Sequence, residues 1–446
     1  MTTKIKTLLI FSLIIATALL MGCETDSSTD PVITQASFTV TIENVSGEFD
    51  FFASGVFNEP ISNLASPATP GPIQPGDSYE FNFAAAPGHK LSLATMFVLS
   101  NDLFYAPDGD GIELFDALDN PITGDITDQF HLWDAGTEVN EEPGVGMNQP
   151  PLQAGPNTGP DDPNNTVRLV NDAFTYPSVS EVIDVTLTYD GNYEFTLEIQ
   201  NVSAGASIET PLAPGVFVIH TDANPLFTEG MPDYGDGLES LAEDGDPSGL
   251  GSYLDTESGL ATPLAPGVWV VHTSDMPFFA EGQPDFDEGL EDLAEDGDPG
   301  VLSTSLIGQA GIVLKGVFNT PDGSSAPGVL EPGSTYSFTF DADAGDRLSL
   351  ATMFVQSNDL FYGFGENGLA LFNDQGPITG DKTGSIRLWD AGTEANQWPG
   401  VGPDQAPRQF GPNAGATDPD NTVRQVNDGY TYPANNEIIK ITITTN

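Results

Sequence analysis

The chain has 446 residues, with 66 Asp and Glu against 11 Lys and Arg and a formal net charge of −55. Such a surface repels nucleic acid and anionic headgroups, so neither is an expected partner, while divalent cations and basic proteins are drawn to it. A hydrophobic share of 39% with 27 Phe still supplies real cores, and the single cysteine, Cys23, excludes any disulfide within the chain.

In chain order, the first element is a targeting segment. Lys4 and Lys6 precede an apolar run over residues 8–20 that is short for a membrane span. The run ends in Leu20-Met21-Gly22-Cys23, which resembles a bacterial lipobox. Residues 1–22 are therefore expected to be a lipoprotein signal peptide, with lipidation at Cys23. Residues 23–35 read as an acidic, polar tether. The location implied is the bacterial cell envelope, lipid-anchored, at the outer membrane or cell surface.

The body of the chain reads as all-β. Phe38, Val40 and Ile42 alternate with polar residues, as do Tyr79, Phe81 and Phe83, then Tyr336, Phe338 and Phe340, and finally Ile439, Ile441 and Ile443. Residues 91–98 are apolar almost throughout and suit a strand buried on both faces. Pro and Gly clusters separate these runs at short intervals, which favours antiparallel sandwiches. Two short helices are expected, over residues 237–243 and 289–295, with Leu238/Leu241 and Leu290/Leu293 sharing a face.

Internal repetition sets the expected domains. Leu91-Ser92-Leu93-Ala94-Thr95-Met96-Phe97-Val98 returns at residues 348–355, and Asn165-Thr166-Val167-Arg168 at 421–424. The opening Phe38-Thr39-Val40-Thr41-Ile42-Glu43-Asn44-Val45-Ser46 is matched by residues 195–203. Thr210-Pro211-Leu212-Ala213-Pro214-Gly215-Val216 recurs 52 residues later, as does Ala242-Glu243-Asp244-Gly245-Asp246-Pro247. We expect two tandem sandwiches, a shortened one over 36–189 and a second over 190–446. The second would carry the 52-residue repeat as a duplicated insert at about 207–302, and would fold without the first.

One stretch carries most of the candidate chemistry. Leu132-Trp133-Asp134-Ala135-Gly136-Thr137-Glu138 returns as Leu388-Trp389-Asp390-Ala391-Gly392-Thr393-Glu394. Each copy follows a Ser-Asn-Asp-Leu-Phe-Tyr block, containing Asp102 in the first and Asp359 in the second. Three carboxylates from two loops, with backbone carbonyls and water, can meet the six to eight oxygens that Ca²⁺ takes. The plainer alternative is that the Asp caps a turn and the Trp fills the core. Residues 107–113 have calcium-loop spacing but read as a turn. Asp244, Asp246, Asp296 and Asp298 stand at helix ends, where a cation or a simple exposed turn fits. No metalloprotease helix or nucleophile elbow is present. His220 and His272 close equivalent apolar runs, which points to structural hydrogen bonds.

Ser-Leu-Ala-Thr-Met, then Ser-Asn-Asp-Leu-Phe, then Trp-Asp-Ala-Gly-Thr-Glu together resemble the spondin N-terminal domain, and so do residues 262–272 and 294–297. The resemblance covers nearly all of 36–446. It implies C2-like β-sandwiches in which three acidic side chains hold one Ca²⁺. By motif position these are Asp102, Asp134 and Glu138, then Asp359, Asp390 and Glu394. It departs from the animal pattern in having Glu as the last acid, no disulfides, and no Pro-Gly-Val-His module ahead of the first copy. The function implied is non-catalytic adhesion or binding of an extracellular glycan or protein, with the membrane reached only through the N-terminal lipid. The alternatives are a surface hydrolase acting on a carbohydrate or other polymer, and a purely structural envelope lipoprotein.

Overall fold

A computed structural model describes residues 34–61 and 69–446; the expected signal peptide, Cys23 and nearly all of the expected tether lie outside the described residues. The fold is all-β, built from antiparallel sheets stacked as two sandwiches, with a few short helices.

The chain opens with strand β1 (Gln35–Asn44). Then come β2 (Ala53–Phe57), β3 (Ser78–Ala84), β4 (Lys90–Phe97), β5 (Leu103–Pro107), β6 (Phe130–Asp134), β7 (Ile183–Gly191), β8 (Glu194–Asn201) and β9 (Leu212–His220). Helices α1 (Leu238–Asp244) and α2 (Ser248–Thr256) lead to β10 (Leu264–His272), α3 (Leu290–Asp296) and α4 (Gly300–Ser305). The chain ends with β11 (Ile312–Phe318), β12 (Thr335–Asp343), β13 (Arg347–Phe354), β14 (Leu360–Gly363), β15 (Arg387–Asp390) and β16 (Ile439–Thr445).

In the first sandwich, a sheet ordered β3-β8-β7 faces a larger one ordered β2-β9-β4-β5-β6. Phe83, Phe195 and Leu197 from one sheet and Leu93, Phe97 and Phe217 from the other fill the space between them. The outer face of the larger sheet is covered as well. Ala94, Phe104, Trp133, Val216 and Val218 pack against Leu238, Leu241, Leu250 and Leu254 of α1 and α2. That double cover explains why β4 is apolar on both faces. The second sandwich repeats the plan, with β12-β1-β16 facing β11-β10-β13-β14-β15 and with α3 and α4 outside.

The strand pairing corrects the expected division at residue 190. β1 pairs with β12 and β16, setting Phe38 opposite Phe340 and Val40 opposite Ile443, so the N-terminal strand belongs to the second sandwich. β8 pairs with β7 and β3, setting Phe195 opposite Tyr189 and Phe83, so it belongs to the first. The 52-residue repeat is shared out as well. Its first copy supplies β9, α1 and α2 to the first sandwich and its second supplies β10, α3 and α4 to the second. The first sandwich is therefore complete and not shortened. It is a circular permutation of the second, and it is inserted between β1 and β10 of the second.

A local turn decides which of the two matching strands goes where. Gly191, Asn192 and Tyr193 all adopt positive φ, closing a hairpin that joins β8 to β7. The cut proposed at residue 190 would have passed through this hairpin. Buried asparagines then lock each assignment. Asn44 Nδ2 donates to the Thr262 and Leu330 carbonyls at 2.9 and 2.7 Å, within the second sandwich. Asn201 Nδ2 donates to the Thr210 carbonyl at 2.8 Å, within the first.

Candidate metal centre

The repeated Asp-Ala-Gly-Thr-Glu turn follows β6 in the first sandwich and β15 in the second. Trp133 is buried beneath the helical layer, with its ring centroid 4.9 Å from that of Phe227, and its indole Nε1 donates to the Ala106 carbonyl at 3.1 Å. Trp389 packs 4.7 Å from Phe279 in the same way. The tryptophans therefore fill the core and fix where each turn starts.

Asp102 is fully buried at the head of β5. Its Oδ2 accepts the Thr137 and Glu138 backbone N–H groups at 2.8 and 3.0 Å, and the Thr137 hydroxyl at 3.2 Å. Its Oδ1 is buried with no partner. Asp359 repeats the arrangement, with Oδ2 bound by the N–H groups of Thr393 and Glu394 at 2.7 and 3.0 Å and Oδ1 unpartnered.

The other expected ligands are engaged elsewhere. Asp134 Oδ1 accepts the Gly136 N–H at 2.7 Å, and its Oδ2 lies 2.5 Å from Arg168 Nη2, which also holds Asp162 at 2.6 Å. Asp390 is held by Gly392 and by Arg424 at 2.7 Å in the same geometry. A cationic partner thus stands beside each carboxylate cluster, in the Asn-Thr-Val-Arg repeat. Glu138 Oε1 accepts the Gly159 N–H at 2.5 Å, and its Oε2 accepts the Asn101 Nδ2 amide at 3.3 Å. Glu394 does the same with Gly415 at 2.7 Å. The additional methylene of Glu over Asp provides this reach. A side chain on Gly159 or Gly415 would collide with the carboxylate.

A further buried acid stands beside each turn. Glu243 and Glu295, in the last turns of α1 and α3, are buried, and each has an unpartnered Oε1. Both sit over the same turn as the orphaned aspartate oxygen. Burial pushes the Glu243 carboxyl up to about 8, with the Thr137 hydroxyl opposing and the charges of Glu138, Glu239 and Asp102 adding. Glu295 is likewise pushed up to about 8 by burial, opposed by Thr393, with Glu394, Glu291 and Asp359 adding. Asp102 is raised to about 7 by burial and by the neighbouring Asp134. Asp359 and Asp390 are raised by burial and by the like charges of nearby carboxylates.

The chain positions these glutamates by ending each helix abruptly. Gly245 takes a left-handed conformation, φ +66, and its N–H caps the Leu241 carbonyl at 3.1 Å. A Cβ there would come within 2.7 Å of Ala213, so the cap packs directly on β9. Asn157 and Gln153 tie Glu239 and Asp244 to the loop after Glu138, at 2.6 and 2.7 Å. Asn413 and Gln409 do the same for Glu291 and Asp296. Asp244 and Asp296 thereby serve as anchors, while Asp246 and Asp298 accept the N–H two residues on. Residues 107–113 form a turn in which Glu113 pairs with Lys90 at 3.1 Å.

Two serine–histidine pairs bridge neighbouring strands within the sheets. His220 Nε2 is 2.9 Å from Ser92 Oγ while its Nδ1 meets the Asp222 carbonyl, and His272 repeats this with Ser349 at 3.0 Å. All four side chains are buried, and burial lowers the pKa of both imidazoles. They join β4 to β9 and β13 to β10. Among the described residues no three His, Cys, Asp or Glu side chains converge as a ready-made cage, and no helix is long and apolar enough to cross a membrane.

No family model matches the chain, and no curated protein matches it.

Proposed function

We propose that this is an envelope-displayed, non-catalytic binding protein whose two spondin-like sandwiches each take up Ca²⁺ between the Asp-Ala-Gly-Thr turn and the glutamate of the covering helix. One observation carries the metal reading. In both sandwiches, two carboxylate oxygens are buried without a hydrogen-bond partner beside the same turn: Asp102 Oδ1 and Glu243 Oε1, then Asp359 Oδ1 and Glu295 Oε1. Burying such groups unpaired is costly, and a hard cation with oxygen ligands removes the cost. The ligands in this reading are Asp102 with Glu243, and Asp359 with Glu295. Asp134 and Asp390 brace the turn through their arginines, and Glu138 and Glu394 hold the outer loop. Bound Ca²⁺ would neutralise the carboxylates and clamp each helix to the strand loops, leaving a rigid display surface. The lipid anchor at Cys23 would keep that surface at the envelope. Binding of a glycan or protein suits this arrangement better than polymer hydrolysis, because the serine–histidine pairs are sealed in the core.

The test is a thermal melt at high NaCl, where general screening is saturated, comparing the full chain with Asp359→Asn and Glu295→Gln. Ca²⁺ should raise the melting temperature of the wild type and do clearly less for each variant, with Mg²⁺ a poor substitute. Equal Ca²⁺ responses in all three would refute the site.

A further inference from the structure

The insertion of one sandwich into the other creates a place that neither contains alone. The chain leaves the second sandwich after Asn44 and returns to it near Leu260. The outgoing and returning segments pair with each other: Phe51 N–H donates to the Glu257 carbonyl at 3.0 Å, and Gly259 N–H donates to the Phe51 carbonyl at 3.1 Å. Beside this paired crossing, between the two sandwiches, lies a cleft of 920 Å³. It falls within the range of about 300–1,000 Å³ usual for small-molecule sites, at an inter-domain position where such sites concentrate.

Its walls are aromatic. Phe49, Phe52 and Phe217 come from one side, and Trp398 and Tyr432 from the other. Phe49 remains 37% exposed, with its ring packed over two glycines. A Cβ on Gly47 or Gly259 would come within 2.7 or 2.6 Å of it, so two glycines let the backbone close around the ring. The result is a pre-set apolar platform.

The same walls contain hydrogen-bonding groups with nothing to bond. Ser54 Oγ, Ser258 Oγ and Trp398 Nε1 are buried and unpartnered, and all three residues line the cleft. An indole N–H needs an acceptor, and a hydroxyl can give or take. The only charged residues among the described lining residues are Asp255 and Glu437, both acidic. An anionic ligand is therefore disfavoured. A purely apolar ligand would leave the three polar groups unsatisfied, and an alkylammonium has no acceptor for the indole. A ring with apolar C–H faces and hydroxyls around its edge answers every group.

We propose that the cleft between the two sandwiches binds a short neutral oligosaccharide, stacked on Phe49 and hydrogen-bonded within the Trp398 and serine walls. The inference deepens the adhesion reading by naming a ligand class and a place, and it needs no metal.

The experiment is calorimetric titration of the full chain with neutral gluco-, manno-, xylo- and chito-oligosaccharides, with a hexuronate oligomer and a benzylammonium salt as charged controls. At least one neutral series should bind saturably. Trp398→Phe, which keeps an aromatic ring and removes the N–H, should weaken that binding about tenfold. Phe49→Ala should abolish it, and removal of Ca²⁺ with EGTA should leave it unchanged. Melting curves confirm that each variant is folded, and Ser258→Ala provides a milder variant that should weaken binding several-fold. The proposal is overturned if no neutral series binds, if only a charged control binds, or if binding survives both ring-wall variants. Oligosaccharide binding that disappears with EGTA while the cleft variants are silent would move recognition to the metal sites and overturn it too.

Discussion

Replacing both helix glutamates, Glu243→Gln and Glu295→Gln, should flatten the stability of the metal-free protein between pH 7 and pH 9. Each carboxyl is raised to about 8 in the fold, chiefly by burial, while in the unfolded chain it is ionised well below pH 7. The folded state thus holds protons that the unfolded state has lost, and stability falls as pH rises toward the folded pKa. A group with a pKa of about 8 is roughly ten parts protonated to one at pH 7 and the reverse at pH 9, which is worth RT ln 10, or about 1.4 kcal/mol. Local relaxation of a buried carboxylate reduces this, so about 1 kcal/mol per glutamate and about 2 kcal/mol for the pair is the expected loss. Asp102 and Asp390, each raised to about 7, also titrate at the lower edge of this window, in the wild type and the double variant alike. Exposed carboxylates are ionised throughout, and His220 and His272, whose pKa values are lowered by burial, are neutral across it. Urea unfolding in EGTA at the two pH values measures the difference. A pH dependence in the double variant equal to that of the wild type would refute the argument that these carboxyls are protonated in the fold.

Ca²⁺ should stabilise more strongly at pH 8.5 than at pH 6, because protons compete for the same buried oxygens, reaching about 2.7 kcal/mol at a hundredfold excess over Kd; melting curves across pH check this. Arg424→Met should cost on the order of 2–3 kcal/mol in urea unfolding by leaving Asp390 buried beside Asp359 without its cation, with the loss smaller at low pH, where the aspartates protonate. Residues 49–258 expressed alone should unfold cooperatively, whereas 190–446 should not until a peptide of residues 35–48 supplies β1; chemical-shift dispersion with and without the peptide decides it. Cys23→Ser should abolish lipid labelling and release or stall the protein, and unchanged labelling would exclude the anchor.

Much of the fold was legible because strand patterning is local. Alternation at Phe38, Val40 and Ile42, and the unbroken apolar run of β4, report burial on one face and on two. Strand partners are not local. Residues 38–46 and 195–203 are near-copies with the same alternating pattern, so repetition alone could not assign them. The turn at residues 190–193 held the deciding signal, since Asp-Gly-Asn between two strands marks a hairpin. The site divided along the same line. Asp102 and Asp359 were visible from the repeated blocks, whereas Glu243 follows Asp102 by 243 − 102 = 141 residues and Glu295 precedes Asp359 by 359 − 295 = 64, each on a helix joined to its turn only by folding. Their signal was a repeated glutamate directly after the apolar Leu-Ala face and two residues before a helix-ending glycine. The arginines were similarly hidden in a repeat that reads as a loop.

In the proposed reading each sandwich holds one Ca²⁺ on a paired aspartate and glutamate. Calorimetric titration of the full chain with CaCl₂ near pH 8, in two buffers of different ionisation enthalpy, tests it most directly. We expect two sites per chain, with protons released on binding, one site remaining in Glu295→Gln and none in the Glu243→Gln/Glu295→Gln double variant. Binding that is absent in the wild type, or unchanged in stoichiometry and proton release in the double variant, would refute the paired carboxylate sites.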